Sequence, residues 1–512
     1  MIMKPSILKT AILAGAVSVF AFAEDCSKLA QLTLDHATID AAESIAASQY
    51  TPPAGGPGNR DVFKDLPPFC RVKATLKPSP DSNIKMEVWL PASNWNGNFQ
   101  GVSGGGPNGA LEGALDTAGL AEALRKGFAT GTTDTGHQGA TLAYAIDHPE
   151  QLIDYGYRAV HEMTVQAKAI TRAFFGQAPK YSYWNQCASG GRYGLTEAQR
   201  YPSDYDGIVV SAPASYWTHL QTWSLYVHKA THDNPLSDIP TSKYPLLHKA
   251  AIEACDGLDG LKDGLISDPR KCKFDPGVLL CHGDENAAWL TAPQVEAARK
   301  IYSPLFNPRT KAEIFPGLLP GSEMGWAGLA AGEEDPRYVR ETFRYLAFKD
   351  SNWTEKTRPV DFDKDLAALD KSAGPIVNAN NPDLKAFFAR GGKLIEWTGW
   401  SDPLIAPEDA LHYYESVAKK MGGVSKIDSS FKLYMAPGVL HCRGGDGPDT
   451  FDMQKAIEKW IETGDAPGPI LGAHRSGGKI DRTRPICPYP QTAVYKGEGS
   501  VDDAANFACQ LP

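Results

Sequence analysis

Short apolar runs that alternate with amphipathic segments are the main pattern along this chain. The apolar residues from Tyr157 to Phe175 recur at helical spacing, and the segment GGRYGLTEAQRYP, which begins at Gly190, predicts a further helix. Runs rich in β-branched and aromatic residues predict strands at 84–91, 97–105, 128–136, 181–187 and 207–214. Strands that alternate with helices favour an α/β fold with a doubly wound, mostly parallel sheet.

The alternation stops in the middle of the chain, between about residues 215 and 380. This segment is rich in aromatic residues, proline and glycine, and it is too long for a loop, so we interpret it as an inserted lid domain. Strand-like runs return at 393–403 and 431–442. The predicted organisation is therefore a first core segment at 24–214, the lid at 215–380 and a second core segment at 381–512.

The N-terminal segment has the pattern of a secretory signal at residues 1–23. Two lysines precede an apolar run that ends in Ala21-Phe22-Ala23, so the mature chain would begin at Glu24. The run is short for a membrane span, and no later segment is apolar enough to cross a bilayer. We therefore expect a secreted protein with no membrane partner. From Cys26 to Cys70 the sequence predicts a helical stretch followed by a loop rich in proline and glycine.

Composition and charge exclude some classes of function. The chain is 42% apolar and 22% charged, which is ordinary for a globular protein with a substantial core. Its formal net charge is −9 and it has no basic run, so we expect no nucleic-acid partner. The sequence leaves the oligomeric state open.

The stretch NQCASGGRYG, residues 185–194, has the pattern of a nucleophile elbow, the tight turn that presents a catalytic serine between a strand and a helix. Two neighbouring positions compete for this role. Ala188 directly follows Cys187 but carries no nucleophile, and Ser189 comes one residue later. The pattern alone leaves the choice between them open.

Asp402 and His441 follow the two strand-like runs of the second core segment. Ligand chemistry in open α/β sheets gathers at the carboxyl ends of strands, where the elbow also lies. The chain order of elbow, aspartate and histidine is that of α/β-hydrolases. In such a site the histidine takes the proton of the nucleophile, and the aspartate orients the imidazole.

Nine cysteines, in a chain expected to be secreted, make disulfides the default interpretation. Their number is odd, so at least one is left over or pairs between chains. Cys187 precedes Ala188, and Cys442 follows His441. A bond between these two cysteines would hold the elbow and the histidine in register.

Two glycine-rich loops are further candidates for functional sites. Residues 255–265, CDGLDGLKDGL, carry three carboxylates within eight residues, which suits either a calcium loop or a solvated acidic turn. Residues 101–106, GVSGGG, are either a flexible turn or the second source of oxyanion-hole donors, with Gly105 as our candidate.

These motifs together resemble the tannase and fungal feruloyl esterase family, which also includes the hydrolase of mono(2-hydroxyethyl) terephthalate. The family's elbow reads Cys-Ser-x-Gly-Gly, and a distant aspartate and a His-Cys pair complete its site. The matching positions are Cys187-Ala188-Ser189-Gly190-Gly191, Asp402 and His441-Cys442. The segments QRYPSDYDGIVVSAPA and GWSDPLIAP add to the resemblance, which covers nearly the whole mature chain.

The resemblance implies an α/β-hydrolase fold with a large lid, and a serine esterase that acts on esters of hydroxylated aromatic acids. Ala188 then stands at the usual position of the catalytic serine, and Ser189 either gives its N–H to the oxyanion hole or acts as an alternative nucleophile. A catalytically inactive homologue that binds aromatic esters is the other interpretation. In the lid the resemblance implies structural calcium, held by the side chains of Asp256, Asp259 and Asp263 and the carbonyl groups of Leu261 and Leu265.

The resemblance also implies four disulfides. The expected pairs are Cys187–Cys442, Cys26–Cys70, Cys255–Cys272 and Cys487–Cys509, which leaves Cys281 over.

Overall fold

A computed structural model describes residues 25–52, 60–103, 119–281 and 289–511. These residues form fifteen β-strands: β1 (Ala37–Ile45), β2 (Phe69–Leu76), β3 (Ile84–Pro91), β4 (Phe99–Gly101), β5 (Ala129–Thr133), β6 (Ser182–Cys187), β7 (Gly207–Ser211), β8 (Leu305–Phe306), β9 (Glu313–Phe315), β10 (Lys393–Gly399), β11 (Phe431–Ala436), β12 (Ile470–Ser476), β13 (Lys479–Ile486), β14 (Thr492–Tyr495) and β15 (Phe507–Gln510). The predicted signal, residues 1–23, lies outside the described residues.

The same residues form fifteen α-helices. They are α1 (Leu120–Arg125), α2 (Pro149–Ile153), α3 (Ala159–Phe175), α4 (Ser189–Arg200), α5 (Trp217–His232), α6 (Tyr244–Cys255), α7 (Ala292–Tyr302), α8 (Ala327–Ala330), α9 (Arg337–Glu341), α10 (Lys364–Ser372), α11 (Gly374–Val377), α12 (Lys385–Ala389), α13 (Glu408–Met421), α14 (Val424–Ile427) and α15 (Met453–Thr463). No helix within the described ranges is long and apolar enough to cross a membrane.

A nine-stranded sheet forms the centre of the fold, in the order β1-β2-β3-β5-β4-β6-β7-β10-β11. The first three strands are antiparallel, and the six strands from β5 to β11 in that order are parallel. Strands β6, β7, β10 and β11 are buried almost throughout, as is usual for parallel strands covered on both faces. The mostly parallel α/β sheet predicted from the sequence is confirmed.

Helices cover both faces of this sheet. On strand β7, Ile208 and Val210 pack in the cluster that contains α3, α4 and α13. Val209, which points the opposite way, packs in the cluster that contains Ile457 and Trp460 of α15. This alternation follows from the two-residue period of a strand, and it makes the sheet doubly wound.

The N-terminal segment differs from its expectation. Between Cys26 and Cys70 the chain has a short 3-10 helix, Cys26–Gln31, and then strand β1 instead of a helical stretch. β1 contains three alanines and two acidic residues, a composition that suits a helix on its own. Antiparallel pairing with β2 along its whole length outweighs this local preference.

Between β7 and β10 the chain leaves the sheet for the segment that the sequence predicts as a lid. Within its described residues this segment contains α5 to α11 and the two-stranded β8–β9 pair, and it adds no strand to the main sheet. Most of its buried apolar residues belong to one cluster, the lid cluster, which includes Trp217, Trp223, Trp326 and Trp353 and also takes in Tyr155 and Ile405 from the flanking core segments.

Four disulfides link distant parts of the chain, and they join the same cysteines that the family resemblance implies: Cys26–Cys70, Cys187–Cys442, Cys255–Cys272 and Cys487–Cys509. The second of these closes the longest loop, with a separation of 255 residues. It lies at the carboxyl edge of the sheet.

Candidate active site

The turn between β6 and α4 has the geometry of a nucleophile elbow, with Ala188 as its central residue. Ala188 has φ 54° and ψ −119°, a conformation that costs free energy in a residue with a β-carbon. Its N–H donates to Ser211 O at 3.0 Å, and its carbonyl accepts from the N–H groups of Arg192 at 3.0 Å and Ala214 at 3.1 Å. Backbone contacts to β7, to α4 and to the loop after β7 therefore hold this turn.

Ser189 has a different environment from Ala188. It is the first residue of α4, and it is only 2% exposed. The first N–H groups of a helix have no acceptor within the helix, so the Ser189 N–H is available to a ligand at the mouth of the turn. Ala188 thus occupies the strained position of the turn, and Ser189 is the buried first residue of the helix.

Close packing at Gly190 fixes how the helix leaves the elbow. A β-carbon on Gly190 would lie 2.7 Å from Cβ of Gln186 and 3.2 Å from Oγ of Ser103, so a larger residue would push α4 away from β6. The same distances place Ser103, which follows β4, beside the elbow. Our other oxyanion candidate, Gly105, lies outside the described residues.

Asp402 and His441 form a hydrogen-bonded pair, with His441 Nδ1 at 2.8 Å from Asp402 Oδ2. Asp402 is fully buried, and its Oδ1 accepts the N–H groups of Leu404 at 2.9 Å and Ile405 at 3.0 Å. Because the carboxylate only accepts, Nδ1 of the imidazole carries the proton and Nε2 is left to accept one. This is the tautomer that a general base requires.

The loops that carry Asp402 and His441 are bonded to each other. The N–H of Trp400 donates to Ala436 O at 2.8 Å, and the N–H of Ser401 donates to Val439 O at 3.1 Å. The pairing of the parallel strands β10 and β11 thus continues into the loops that follow them. The distance between the carboxylate and the imidazole is therefore set by backbone contacts.

The Cys187–Cys442 disulfide joins the elbow to the loop that follows β11 and carries His441, which we call the histidine loop. The two Cα atoms of the disulfide are 6.2 Å apart. A ring nitrogen of His441 lies within 4.8 Å of both sulfur atoms. The structure therefore brings together Ala188, Ser189, Asp402 and His441 at the carboxyl ends of β6, β10 and β11.

A second histidine connects the lid segment to the histidine loop, and no motif in the sequence marks it. His248 of α6 lies with Nδ1 at 2.9 Å from Glu323 Oε2 and Nε2 at 2.8 Å from Asp446 Oδ2. Burial lowers the pKa of His248, but the hydrogen bonds to Asp446 and Glu323 outweigh it and raise that pKa to about 9. We call these three residues the lid clamp. Their separations of 75 and 198 positions explain why no local motif marks them.

The lid segment also touches the loop that carries Asp402. A β-carbon on Gly325 would lie 2.3 Å from Cγ of Pro403, which shows how closely the backbone at Gly325 packs against the proline ring. The lid segment is thus packed against both loops that supply the charged pair.

Three aromatic residues of α5, Trp217, Trp223 and Tyr226, are part of the interior of the lid segment. Trp217 and Trp223 are buried in the lid cluster, and Tyr226 packs against it with its ring edge towards Phe362. A buried cation that the sequence did not single out lies nearby. The guanidinium of Arg192 stacks over Tyr193 with 4.2 Å to the ring centroid.

The predicted calcium loop folds around its own carboxylates. Asp256 accepts the N–H groups of Asp263 and Gly264, each at 3.1 Å. Asp259 and Asp263 accept the N–H groups of Leu261 at 3.0 Å and Leu265 at 3.1 Å.

Two of these carboxylates have further partners. Asp259 accepts a hydrogen bond from Ser267 at 2.6 Å, and Asp263 forms a buried ion pair with Arg484 at 2.7 Å. Within the described ranges, Asp256, Asp259 and Asp263 do not have oxygens that all lie within 4.8 Å of one another. Binding of an ion by all three would therefore require the loop to contract.

Comparison with known proteins gives consistent results. Residues 70–510 match the family described as tannase and feruloyl esterase. An uncharacterized esterase of Xanthomonas campestris pv. campestris is 35% identical, over 98% of this chain and 94% of that protein. A probable feruloyl esterase B-1 of Aspergillus flavus is 31% identical, over 90% of this chain and 89% of that protein.

Solved structures agree with the sequence relatives. The crystal structure of feruloyl esterase B from Aspergillus oryzae superimposes with a TM-score of 0.86 at 29% identity, over 95% of this chain and 99% of that one. A tannin acyl hydrolase from Aspergillus niger, at 21% identity and a TM-score of 0.76 over 94% and 92% of the two chains, shares the fold. The chain belongs to the tannase and feruloyl esterase family of ester hydrolases.

Proposed function

We propose that this chain is a secreted carboxylic ester hydrolase of the feruloyl esterase type, with Ala188 at the position of its nucleophile. The observation that carries the proposal is the strained turn at Ala188, beside the Asp402–His441 pair. Esters of hydroxylated aromatic acids are the proposed substrates, since several relatives are named as feruloyl esterases.

The proposed reaction is acyl transfer through a serine at position 188. The serine hydroxyl attacks the ester carbonyl carbon while Nε2 of His441 takes its proton, and Asp402 stabilises the imidazolium. The Ser189 N–H stabilises the oxyanion of the tetrahedral intermediate. His441 then gives the proton to the leaving alcohol, and water repeats the sequence to release the acid.

Ala188 cannot carry out the first step, so we expect this chain to bind aromatic esters and to hydrolyse them slowly. The Ala188→Ser change should raise turnover of a model aryl ester by roughly three to six decades, because every other group is in place. Steady-state kinetics on Ala188→Ser, on Ser189→Ala and on the unchanged chain measure this.

The same experiment distinguishes the alternative in which Ser189 is the nucleophile. In that case the unchanged chain is already active, Ser189→Ala abolishes its activity, and Ala188→Ser changes little. The burial of Ser189 at the start of α4 argues against this alternative.

A binding or sensing protein is the second candidate function, and Ala188 itself favours it. Binding of aromatic esters by both the unchanged chain and the Ala188→Ser variant, without hydrolysis by either, would support this candidate and refute the enzyme.

Export from the cytoplasm is part of the proposal. Four disulfides support it, since such bonds persist in oxidising compartments. N-terminal sequencing of protein recovered from the periplasm or the medium should give a chain that begins at Glu24.

Calcium binding by the loop at 255–265 is also proposed. The donors would be the carboxylates of Asp256, Asp259 and Asp263 and the carbonyl groups of Leu261 and Leu265, all of them hard oxygen ligands of the kind that calcium prefers. The ion would be structural and take no part in the reaction.

Chelation should therefore lower the melting temperature, because an ion that binds only the folded chain stabilises it by mass action. Thermal unfolding with and without chelator measures this. The Asp259→Ala variant should lose the response, and Glu253→Ala, an exposed acid just before the loop, should keep it. An equal response in both variants would contradict the assignment.

A further inference from the structure

A cluster of metal-ligating side chains lies away from the candidate active site. His161, Glu197 and Asp204 each offer one ligand atom, and these three atoms lie within 4.8 Å of one another. His161 is in the first turn of α3, Glu197 is in the last turn of α4, and Asp204 is in the turn that leads to β7. Glu197 lies eight positions after Ser189, which is about 12 Å along α4.

Glu197 is the unusual member of this cluster. It is 1% exposed, and among the described residues no donor group hydrogen-bonds to either of its oxygens; its polar neighbour is the carboxyl group of Asp204, to which it can bond only through a shared proton. A buried carboxylate without a partner is strongly unfavourable, so native proteins normally pair such groups or use them to coordinate metal ions.

The cation that acts on Glu197, Lys168, does not supply that partner. The Lys168 ammonium donates to the backbone carbonyl of Asp204 and forms no hydrogen bond with either carboxylate within the part of the chain that is described. His161 Nδ1 lies 2.6 Å from Asp204 Oδ2, and among the described residues no cation forms an ion pair with Glu197, which faces the carboxyl group of Asp204.

Access and orientation also suit a bound ion. The His161 side chain is 27% exposed, so the cluster opens to solvent on that side while Glu197 and Asp204 form its floor. The ring of Tyr201 stacks on the imidazole of His161 with centroids 3.8 Å apart and restrains its plane.

We propose that His161, Glu197 and Asp204 bind one divalent transition-metal ion of the zinc class. One imidazole nitrogen and two carboxylate oxygens are ligands found in zinc sites, and water from the solvent side would complete a tetrahedron. The imidazole selects against calcium and magnesium, which take oxygen ligands. The ion neutralises the two carboxylates and ties α3, α4 and the turn before β7 together. This inference does not depend on the proposed esterase activity.

The test is zinc binding by the full-length chain without an affinity tag. Chain stripped of metal should bind one equivalent when titrated with zinc chloride by calorimetry, with calcium chloride in excess to saturate any calcium site. Glu197→Gln and His161→Gln should each weaken binding at least about tenfold. The control is His474→Gln, which removes an exposed His–Asp pair and should leave zinc binding unchanged.

The absorption spectrum of bound cobalt(II) tests independently which residues coordinate the ion. The unchanged chain should show visible ligand-field absorption with cobalt chloride, and His161→Gln, whose side chain is partly exposed, should lose it even if Glu197→Gln fails to fold. No stoichiometric zinc binding, or equal affinity in all the folded variants, would overturn the proposal. The buried carboxyl groups of Glu197 and Asp204 would then share a proton.

Discussion

Asp402 is the residue on which the chemistry of the proposed site depends most directly. Its Oδ1 accepts two backbone N–H groups, and only Oδ2 faces the imidazole of His441. In Asp402→Asn, the amide oxygen can keep the backbone contacts, and the NH₂ group must then face Nδ1. The imidazole would adopt the other tautomer and could no longer take a proton at Nε2.

We therefore expect Asp402→Asn, made in the active Ala188→Ser background, to lower kcat by about four decades with little change in fold. Stopped-time ester hydrolysis and far-ultraviolet circular dichroism measure the two effects. The matched control is Asp449→Asn, which alters a carboxylate of the histidine loop that contacts the Gly444 N–H instead of the imidazole. Equal losses in the two variants would show that loop packing, and not the tautomer, is responsible.

At the scale of elements, the lid clamp makes the contact between α6 and the histidine loop depend on pH. The folded-state pKa of His248 is raised to about 9, above the unfolded value near 6.5. The stabilisation is therefore fully present below about pH 6.5 and is lost as the pH rises through 9. Tyr302, which donates to Glu323, and His474 and Arg482, which lie near Asp446, are the other groups that face the clamp.

The melting temperature of the unchanged chain should thus fall between pH 6.5 and 9, and His248→Gln should reduce this fall. Scanning calorimetry across that range measures both curves. His474→Gln tests whether the neighbouring histidine is responsible, and should keep the original slope. Identical curves for His248→Gln and the unchanged chain would contradict the role assigned to the clamp.

At the scale of the whole molecule, the Cys187–Cys442 disulfide closes a loop of 255 residues, and Cys487–Cys509 closes one of 22. Loop-closure entropy predicts that the longer crosslink stabilises the chain by about 2 kcal/mol more than the shorter one. Urea unfolding of the Cys187→Ala/Cys442→Ala and Cys487→Ala/Cys509→Ala double variants compares them. A larger loss in the C-terminal pair would contradict this prediction.

Structural features that depend on residues close together in the sequence are predictable from it, whereas features that depend on pairing between distant segments are not. Strands β3 and β6 lie within a residue of their predicted bounds, because buried apolar runs mark central strands. The elbow and the two strand ends that carry Asp402 and His441 were visible for the same local reason. β1 was missed because antiparallel pairing with β2 decides its conformation.

Neither the lid clamp nor the cluster of His161, Glu197 and Asp204 could be predicted from the amino-acid sequence alone. The clamp unites side chains up to 198 positions apart, the cluster unites three neighbouring elements without a spacing that marks a site, and histidines and carboxylates on helices are common without any such role. The order of the strands in the sheet brings them together, and that order is fixed only when the whole sheet forms.

The insertion of the lid segment between β7 and β10 has a consequence for synthesis of the chain. β7 pairs with β6 on one side, but its partner on the other side, β10, is translated only after the whole lid segment. On the ribosome β7 is therefore an exposed apolar edge, the kind of surface on which nascent chains associate with one another. A chaperone that shields β7 until residue 399 has emerged would raise the yield of native protein, and faster translation of the lid would do the same.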